Sequence, residues 1–251
     1  SNIMKLNFSQ YESTTLKKLN SVQLLNRNDK IFIFHQNNLP HILEKLSPFY
    51  KILKIDDTYT FSYDNHYFDT EDFLFYHQHH NEKRNRYKVR YRSYSTTGEI
   101  FFEIKTKNNK NRTLKKRFPV EEWNQDLGKK EYKFITNNID ISPQSLKSIL
   151  NIQFKRITLV DKNFTERLTI DMQLSIKNGK NSKKFDNLII TEIKQNKYNV
   201  KSKFIQILRD IKISEMRFSK YCIGIISVNN DIKKNRFKPK LLQLNKILNH
   251  D

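Results

Sequence analysis

Residues 84–92 read Arg-Asn-Arg-Tyr-Lys-Val-Arg-Tyr-Arg, so a basic side chain recurs at every second position. Because successive side chains of a β-strand point to opposite faces, this spacing predicts a strand with one cationic face. Same-face side chains on a strand lie about 7 Å apart, so these charges repel one another unless an anion lies among them. The stretch therefore predicts both a β-rich fold and an anionic ligand.

The overall charge points to the same kind of ligand. The chain has 251 residues, with 47 Lys+Arg against 26 Asp+Glu and a formal net charge of +21. Nucleic acid, an anionic membrane surface, phosphate polymers and nucleotides are all suitable polyanions. The sequence is also rich in Asn, Lys and Ile, so many of its lysines are equally well explained as solvent-exposed surface residues that bind no ligand. Arginines at fixed strand spacing are therefore more informative than the total charge.

Composition predicts one domain over residues 4–251, with residues 1–3 interpreted as a cloning remnant. Hydrophobic residues make up 37% and aromatic residues 12% of the chain, which is enough for a substantial core. No apolar run approaches the roughly 20 residues of a membrane span, and no signal-peptide pattern opens the chain. We expect a soluble, cytoplasmic protein.

The hydrophobic pattern predicts an α+β fold dominated by antiparallel strands. Strands are predicted at 30–34, 59–68, 84–94, 100–107, 113–120, 154–160, 166–175, 188–194 and 221–228. Helices are predicted at 16–25, 39–46, 142–150, 202–213 and 239–248. The helices have the spacing of packing elements, so the function is expected to lie on the strands.

Most predicted strands are apolar on one face and ionic on the other. The ionic faces carry Glu103, Lys105 and Lys107; Lys115 and Arg117; Arg156 and Thr158; Arg167, Thr169 and Asp171; and Glu192 and Lys194. An open sheet with a solvated polar face is the simpler explanation of this pattern. Repeated arginines with isolated acids favour a second explanation, a binding site for phosphates and a metal ion. Arginine binds phosphate oxygens well, and a lone carboxylate among cations can bind a divalent metal. Closed with its ionic faces inward, such a sheet would form a basic tunnel for a polyphosphate chain or a nucleoside triphosphate.

An ordered set of motifs gives the sequence a family resemblance. It includes Leu24-Leu25-Asn26-Arg27-Asn28-Asp29, Tyr67-Phe68-Asp69-Thr70, Phe102-Glu103-Ile104-Lys105, Glu166-Arg167-Leu168-Thr169-Ile170-Asp171, Thr191-Glu192-Ile193-Lys194 and Phe218-Ser219-Lys220-Tyr221. Together with the stretch quoted above, the set resembles the VTC domain, the polyphosphate polymerase branch of the triphosphate tunnel metalloenzymes. The resemblance runs over nearly the whole chain.

The resemblance implies a closed antiparallel β-barrel, or tunnel, surrounded by helices, and it implies roles for individual residues. The residues matched to catalysis are Arg90, Arg92, Lys105, Arg156, Arg167 and Lys220. The residues matched to further phosphate binding are Arg27, Lys30, Lys88, Lys115, Arg117, Arg217 and Ser219. Glu192 matches the carboxylate that binds a divalent Mg²⁺ or Mn²⁺ ion. Arg84 and Arg86 are expected at the tunnel mouth.

One departure from the family pattern concerns the first tunnel strand. Bacterial members usually read Arg-x-Asp-x-Lys there, whereas Ile31 stands where the lysine belongs and Lys30 comes one residue early. A shift by one residue points a strand side chain to the other face. Only a local bulge would return Lys30 to the tunnel, and otherwise one phosphate ligand is missing.

The resemblance therefore implies transfer of the γ-phosphoryl group of ATP to a polyphosphate chain. An alternative is a relative that binds or hydrolyses triphosphate, pyrophosphate or short polyphosphate without making long chains. A nucleic-acid-binding β protein is a third class, but Glu103, Asp171 and Glu192 would repel a nucleic-acid backbone unless a metal lay between. No nucleic acid is expected as a partner.

A few residues outside these motifs call for their own interpretation. His77 and His79 would share a strand face and, with His80, suggest a metal site, although no third ligand at a recognised spacing follows. Trp123 is interpreted as a packing residue. Cys222 lies in an apolar run and is predicted to be a buried thiol without a catalytic role.

Overall fold

The structure, a computed structural model, describes residues 5–21, 24, 28–83, 85–108, 110, 112–196, 201–229 and 238–249. Its strands are β1 (Glu12–Thr14), β2 (Asn28–His35), β3 (Tyr50–Leu53), β4 (Phe61–Thr70), β5 (Asn85–Tyr94), β6 (Ile100–Asn108), β7 (Thr113–Val120), β8 (Leu146–Asp161), β9 (Glu166–Lys177), β10 (Ser182–Phe185) and β11 (Leu188–Gln195). Its helices are α1 (Leu16–Asn20), α2 (Leu39–Leu46), α3 (Leu74–His80), α4 (Lys129–Asn138), α5 (Lys203–Asp210), α6 (Lys220–Val228) and α7 (Lys238–Leu248). Among the described helices, none is both long and apolar enough to cross a membrane.

The strands form one sheet whose main path runs β2-β11-β9-β8-β4-β5-β6-β7. Every neighbouring pair on this path is antiparallel, as the sequence predicted. Strands β2 and β7 are its two ends, and no pairing joins them among the described residues. The expected closed barrel is therefore not confirmed. At the β2 end, the Met216 N–H donates to the Ile31 carbonyl oxygen at 2.9 Å, so the segment before α6 covers that edge.

Helices cover the outer surface of the sheet at both ends. Helix α2 begins with Pro40 in its first turn and buries Leu39, Ile42, Leu43 and Leu46, which recur at helical spacing. Together with α5 it packs on the apolar faces of β2, β8, β9 and β11. Helices α3 and α4 contribute to a second core around Phe68, Tyr91 and Phe102. Burial of these apolar faces leaves the ionic faces of the strands on the other side. Helix α6 lies on that ionic side, where its Gly224 packs against Leu150 and Ile152 of β8.

A bulge in β9 sets which side chains reach the ionic face. The register with β8 shifts between Gln153 and Lys155, and Gln173 of β9 has a φ of 54°. Ahead of this extra residue, Asp171 lies opposite Arg156, and beyond it Ile176 lies opposite Ile152. The bulge therefore changes the alternation along β9 without disturbing the Arg156–Asp171 pair.

Two element predictions are wrong. Residues 221–228 belong to helix α6, which Ser219 caps by accepting the Cys222 N–H, rather than to a strand. Nearly all of α6 is buried, so its sequence lacks the periodicity that separates a helix from a strand. The predicted helix at 142–150 contains only the 3₁₀ turn Pro143–Ser145, after which β8 begins.

Candidate functional site

The predicted ionic positions lie on one common face of the sheet, called the inner face. Direct partners on neighbouring strands point to the same side of a sheet. Arg90 is the partner of Glu103, and Arg156 is the partner of Asp171. Further charged residues that are direct strand partners are Arg86 with Lys107, Lys88 with Lys105, Lys105 with Lys115, Glu103 with Arg117, and Lys194 with both Arg167 and Asp29.

The two ends of the sheet curl toward each other across the inner face. Lys105 on β6 interacts electrostatically with Glu192 and Lys194 on β11. Lys107 interacts with Glu192 and with Asp29 of β2 in the same way. Strands β6 and β11 are distant in the sheet order, so only curvature of the sheet brings these charges together. The inner face is therefore concave, and we call the space that it encloses the basin.

Arg90 is fixed inside the basin by a carboxylate and a phenol. Its Nε and Nη2 atoms both lie 2.8 Å from Oε2 of Glu103, and its Nη1 donates to the Tyr67 hydroxyl at 3.0 Å. Burial raises the pKa of Glu103, but the charges of Arg90, Arg92 and Lys115 outweigh burial and lower it to about 2. The ionised carboxylate thus holds Arg90 in one orientation.

A second carboxylate joins the sheet to helix α6. Asp171 accepts two hydrogen bonds from Arg156, at 2.7 Å from Nε and 3.0 Å from Nη2. It also accepts one from Nζ of Lys220, the first residue of α6. Burial raises the pKa of Asp171, but Arg156 and Lys220 hold it well below its usual range. Asp171 therefore fixes two of the predicted phosphate ligands at once.

Arg92 lies between these two clusters and has a neutral partner. Its Nε donates to Oδ1 of Asn65 at 2.6 Å, and its guanidinium lies 5.1 Å from the ring centre of Tyr63. Burial lowers the pKa of Arg92, and the like charges of Arg90 and Arg156 lower it further. An amide does not cancel a guanidinium charge, so Arg92 adds positive potential to the basin.

Two lysines of the inner face have lowered pKa values. Burial strongly lowers the pKa of Lys105, and the neighbouring charge of Lys88 acts in the same direction. Partial burial, helped by the like charges of Arg90 and Arg92, lowers the pKa of Lys115 to about 7, although Glu103 lies 3.4 Å from its Nζ and opposes the shift. Charged lysines are disfavoured here until an anion enters, which is the property expected of a polyanion site.

Glu192 is the carboxylate available for a metal ion. Lys194, with Nζ 4.0 Å away, and Lys105 lower its pKa despite burial, so it is ionised. Within the described ranges, no three His, Cys, Asp or Glu side chains form a group that could hold a metal ion. A Mg²⁺ ion commonly uses one or two carboxylates and takes its remaining ligands from substrate phosphates and water. Glu192 fits that type of site, and it does not fit an all-protein site.

Two predicted phosphate ligands lie away from the inner face, a third caps helix α6, and a fourth lies outside the described residues. Lys30 is the partner of Ile193 without a register shift, so it points away from the inner face and no bulge returns it. The Arg217 side chain is 83% exposed and lies 2.8 Å from Glu82 at the surface. Ser219 is the N-cap of α6. Arg27 and Arg84 fall in the undescribed part of the chain.

Arg167 keeps its predicted position on the inner face but is also tied to the N-terminal helix. It is the direct partner of Lys194 in the pairing of β9 with β11. Its Nη2 donates to the Leu19 carbonyl oxygen in α1 at 2.9 Å. Arg167 therefore links the basin to α1.

The histidines do not form the suggested metal site. His77 and His79 lie on helix α3, so they do not share a strand face. Burial lowers the pKa of His79 to about 2, with Lys88 contributing, and its Nε2 lies 3.3 Å from the Tyr87 carbonyl oxygen. Cys222 is buried as predicted, and Trp123 stacks on His66 with ring centres 3.6 Å apart.

Aromatic residues on the inner face were missed by the sequence reasoning. Tyr67 binds Arg90, and the rings of Tyr63 and Phe154 lie 4.8 and 5.1 Å from the Arg156 guanidinium. Phe154 also lies 4.2 Å from Nζ of Lys220. Tyr67 lies within one of the quoted motifs, so its motif position was the available signal. The other two follow only from the pairing of β4 with β8.

Comparisons with known proteins agree with this arrangement at the level of the family. The sequence model of the VTC domain matches residues 26–229. Among curated proteins, no significant match is found.

Several solved structures resemble the chain distantly. A putative adenylate cyclase from Vibrio parahaemolyticus has 10% identity and a TM-score of 0.47, covering 80% of this chain and 98% of its own. A putative adenylyl cyclase from Hippeastrum, described as having a dominant triphosphatase activity, has 11% identity and a TM-score of 0.49, covering 81% and 97%. The PH1819 protein from Pyrococcus horikoshii has 14% identity and a TM-score of 0.43, covering 80% and 98%. Likeness at this level says nothing about the activity of the chain.

Proposed function

The chain belongs to the VTC domain family, and from this premise we propose that it transfers the γ-phosphoryl group of ATP to the end of a polyphosphate chain. The observation that supports this proposal is the gathering of buried and partly buried cations on one concave face, together with the lowered pKa values of Lys105 and Lys115. A linear polyphosphate offers a row of charges that matches this row of cations.

The proposed reaction needs positioning and positive charge more than it needs a proton acceptor. A terminal phosphate oxygen of the polyphosphate attacks the γ-phosphorus, and the bond from that phosphorus to the β–γ bridging oxygen breaks, so ADP leaves with the electron pair. The attacking oxygen is already ionised near neutral pH, so no general base is required. The rate gain comes from alignment and from stabilising charge on the leaving group.

The residues of the basin divide these tasks by their partners. Arg90 and Arg156 are each fixed by a carboxylate, so they would hold phosphates in a defined register. Arg92, Lys105 and Lys115 would supply the charge that offsets the developing negative charge on ADP. A Mg²⁺ or Mn²⁺ ion held by Glu192 would polarise phosphate oxygens.

One observation favours a second candidate, hydrolysis of triphosphate or short polyphosphate. The inner face carries Ile31 at the position where the family resemblance places a lysine. With one cation fewer, a long acceptor chain would be held less tightly, and water would compete as the acceptor. The substrate class and the basin are common to both candidates. Binding of nucleic acid has less support, because Glu103, Asp171 and Glu192 share the inner face with the cations.

Incubation with ATP and Mn²⁺ or Mg²⁺, followed by gel separation of the products, tests the proposal. A ladder of phosphate chains is the expected result, whereas release of inorganic phosphate alone would establish hydrolysis instead. Glu192→Gln should abolish turnover while tripolyphosphate binding in the absence of metal persists. Glu44→Gln, on the exposed side of α2, is the matched control. Unchanged turnover in Glu192→Gln would exclude that residue from the reaction.

A further inference from the structure

Three aromatic side chains line one end of the basin, and we call them the aromatic rim: Tyr63, Tyr94 and Phe101. The rings of Tyr63 and Tyr94 are 5.0 Å apart at 70°, and those of Tyr94 and Phe101 are 5.9 Å apart at 83°. Arg117 lies with its guanidinium 4.0 Å from the Phe101 ring centre, and its Nη1 lies 3.4 Å from the Tyr94 hydroxyl. The rim is thus an aromatic surface edged by a cation.

Strand pairing places the rim on the inner face, directly beyond the fixed arginines. Tyr94 is the partner of Tyr63, and Phe101 is the partner of Arg92. Along β5 the inner positions run Arg90, Arg92, Tyr94, at about 7 Å per step. All three rim residues are partly exposed, whereas Arg92 is only 8% exposed. A ligand can therefore enter from solvent at the rim, and from the rim it can extend to the arginines.

The opposite direction along the same strands has a different chemistry. From Arg90, the inner positions of β5 continue through Lys88 to Arg86, and those of β6 run from Glu103 through Lys105 to Lys107. On the described strands β5 and β6, these positions beyond the central Arg90–Glu103 pair are cationic. The basin therefore has an aromatic end and a cationic end.

A nucleoside triphosphate has the same polarity, with an aromatic base at one end and phosphates at the other. We propose that the aromatic rim is a nucleobase subsite, in which the base stacks on Tyr94 and contacts Phe101 along its edge while the phosphates extend to Arg92 and Arg90. The polyphosphate then lies toward the cationic end. This inference rests on the proposed function, because it assumes that the donor is a nucleotide.

The chemistry of the rim also limits its selectivity. Base stacking on aromatic side chains tolerates any base, because every base has a π face. We expect ATP and GTP to bind within about threefold of each other, because stacking does not read the base edge.

The test compares ATP with tripolyphosphate, which has the phosphates without the base. Calorimetry should show ATP binding about tenfold weaker in Tyr94→Leu and Phe101→Leu, since a stacked base contributes on that order. Tripolyphosphate affinity should stay within about twofold, because the phosphate ligands are unchanged. Tyr94→Trp, unlike Tyr94→Leu, should keep the ATP affinity of the unaltered protein, because tryptophan also stacks on a base. A purely structural role of Tyr94 would not predict this difference. Phe49→Leu is the matched control, because Phe49 is an exposed aromatic residue on the segment between α2 and β3.

Each outcome bears on the proposal. Equal losses for ATP and tripolyphosphate would show that the rim only supports the arginines and would overturn the subsite, as would unchanged ATP binding in both leucine variants. An unaltered protein that bound tripolyphosphate but not ATP would overturn the subsite while leaving the basin as a polyphosphate site. If the unaltered protein bound neither ATP nor tripolyphosphate, the proposed function itself would be contradicted.

Discussion

Ile31 lies directly opposite Glu192 in the pairing of β2 with β11. The side chain at position 31 therefore points into the basin, where it is apolar although Asp29, Glu192 and Lys194 beside it are charged. Its neighbour Lys30 supplies a cation on the wrong side of the strand. A one-residue offset in sequence thus removes one positive charge from the proposed phosphate path.

Restoring a cation at position 31 should strengthen anion binding. We expect Ile31→Lys to tighten tripolyphosphate binding about tenfold, equivalent to about 1.4 kcal/mol, since hydrogen bonds to charged groups contribute at least that much. Lys30→Ala is the control and should change the affinity by less than twofold, because position 30 lies on the outer face. Calorimetry measures both. Equal effects of the two substitutions would contradict the placement of position 31, and not position 30, in the basin.

Period-two alternation explains how much of the fold could be read from sequence. Strands β5, β6 and β11 each have one apolar and one ionic face, so their existence and their inner residues were predictable. Helix α6 was missed because burial on all sides leaves no amphipathic signal. The bulge at Gln173 has no glycine to mark it, although its φ is positive.

The sequence could predict a residue of the candidate site only where the alternation along a single strand decides which face that residue lies on. Arg90 and Arg156 follow from alternation, but their orientation depends on partners from other strands. Arg217 was misplaced because its position at the surface depends on Glu82, which is distant in sequence. Contacts between distant segments leave no local pattern, so alternation could not find them.

Lys115 should make anion binding depend on pH. Its pKa is lowered to about 7, so the free basin loses this charge as the pH rises through 7, whereas a bound polyanion favours the protonated form. Binding therefore takes up a proton, and affinity for tripolyphosphate should fall by at most about tenfold per pH unit above pH 7. Calorimetry from pH 6 to 9 measures this slope.

Lys115→Arg isolates this contribution. Arginine stays protonated throughout the range, so the variant should show a shallower slope than the unaltered protein. Ionisation of the ligand affects both proteins equally and cancels in the comparison. Identical slopes would exclude Lys115 as the group that takes up the proton.

Asp171 should be required for stability, and a polyanion should replace part of its effect. Asp171→Asn leaves Arg156 and Lys220 buried without their carboxylate, which we expect to destabilise the fold by about 3–5 kcal/mol. Tripolyphosphate would return negative charge to the same place. The rise in Tm on adding tripolyphosphate should therefore be larger in Asp171→Asn than in the unaltered protein.

The control for this prediction is Asp210→Asn, at the exposed end of α5. It should leave both the Tm and its response to tripolyphosphate unchanged. A smaller response in Asp171→Asn than in the unaltered protein would mean that Arg156 and Lys220 do not meet the anion.

Tyr67 should reverse its effect on binding as the pH rises. Burial raises its pKa, but Arg90, Lys88 and Arg92 outweigh burial and lower it to about 8. Below pH 8 the neutral phenol holds Nη1 of Arg90, and above it the phenolate adds negative charge to the basin and repels phosphate. Tyr67→Phe should therefore bind tripolyphosphate less tightly than the unaltered protein at pH 7 and more tightly at pH 9, by about threefold to tenfold each way.

The control for this prediction is Tyr11→Phe, which removes a buried hydroxyl contact to Leu43 in the other core. It should change tripolyphosphate affinity at neither pH. Binding curves that run parallel from pH 7 to pH 9 would contradict the assignment of this proton to Tyr67.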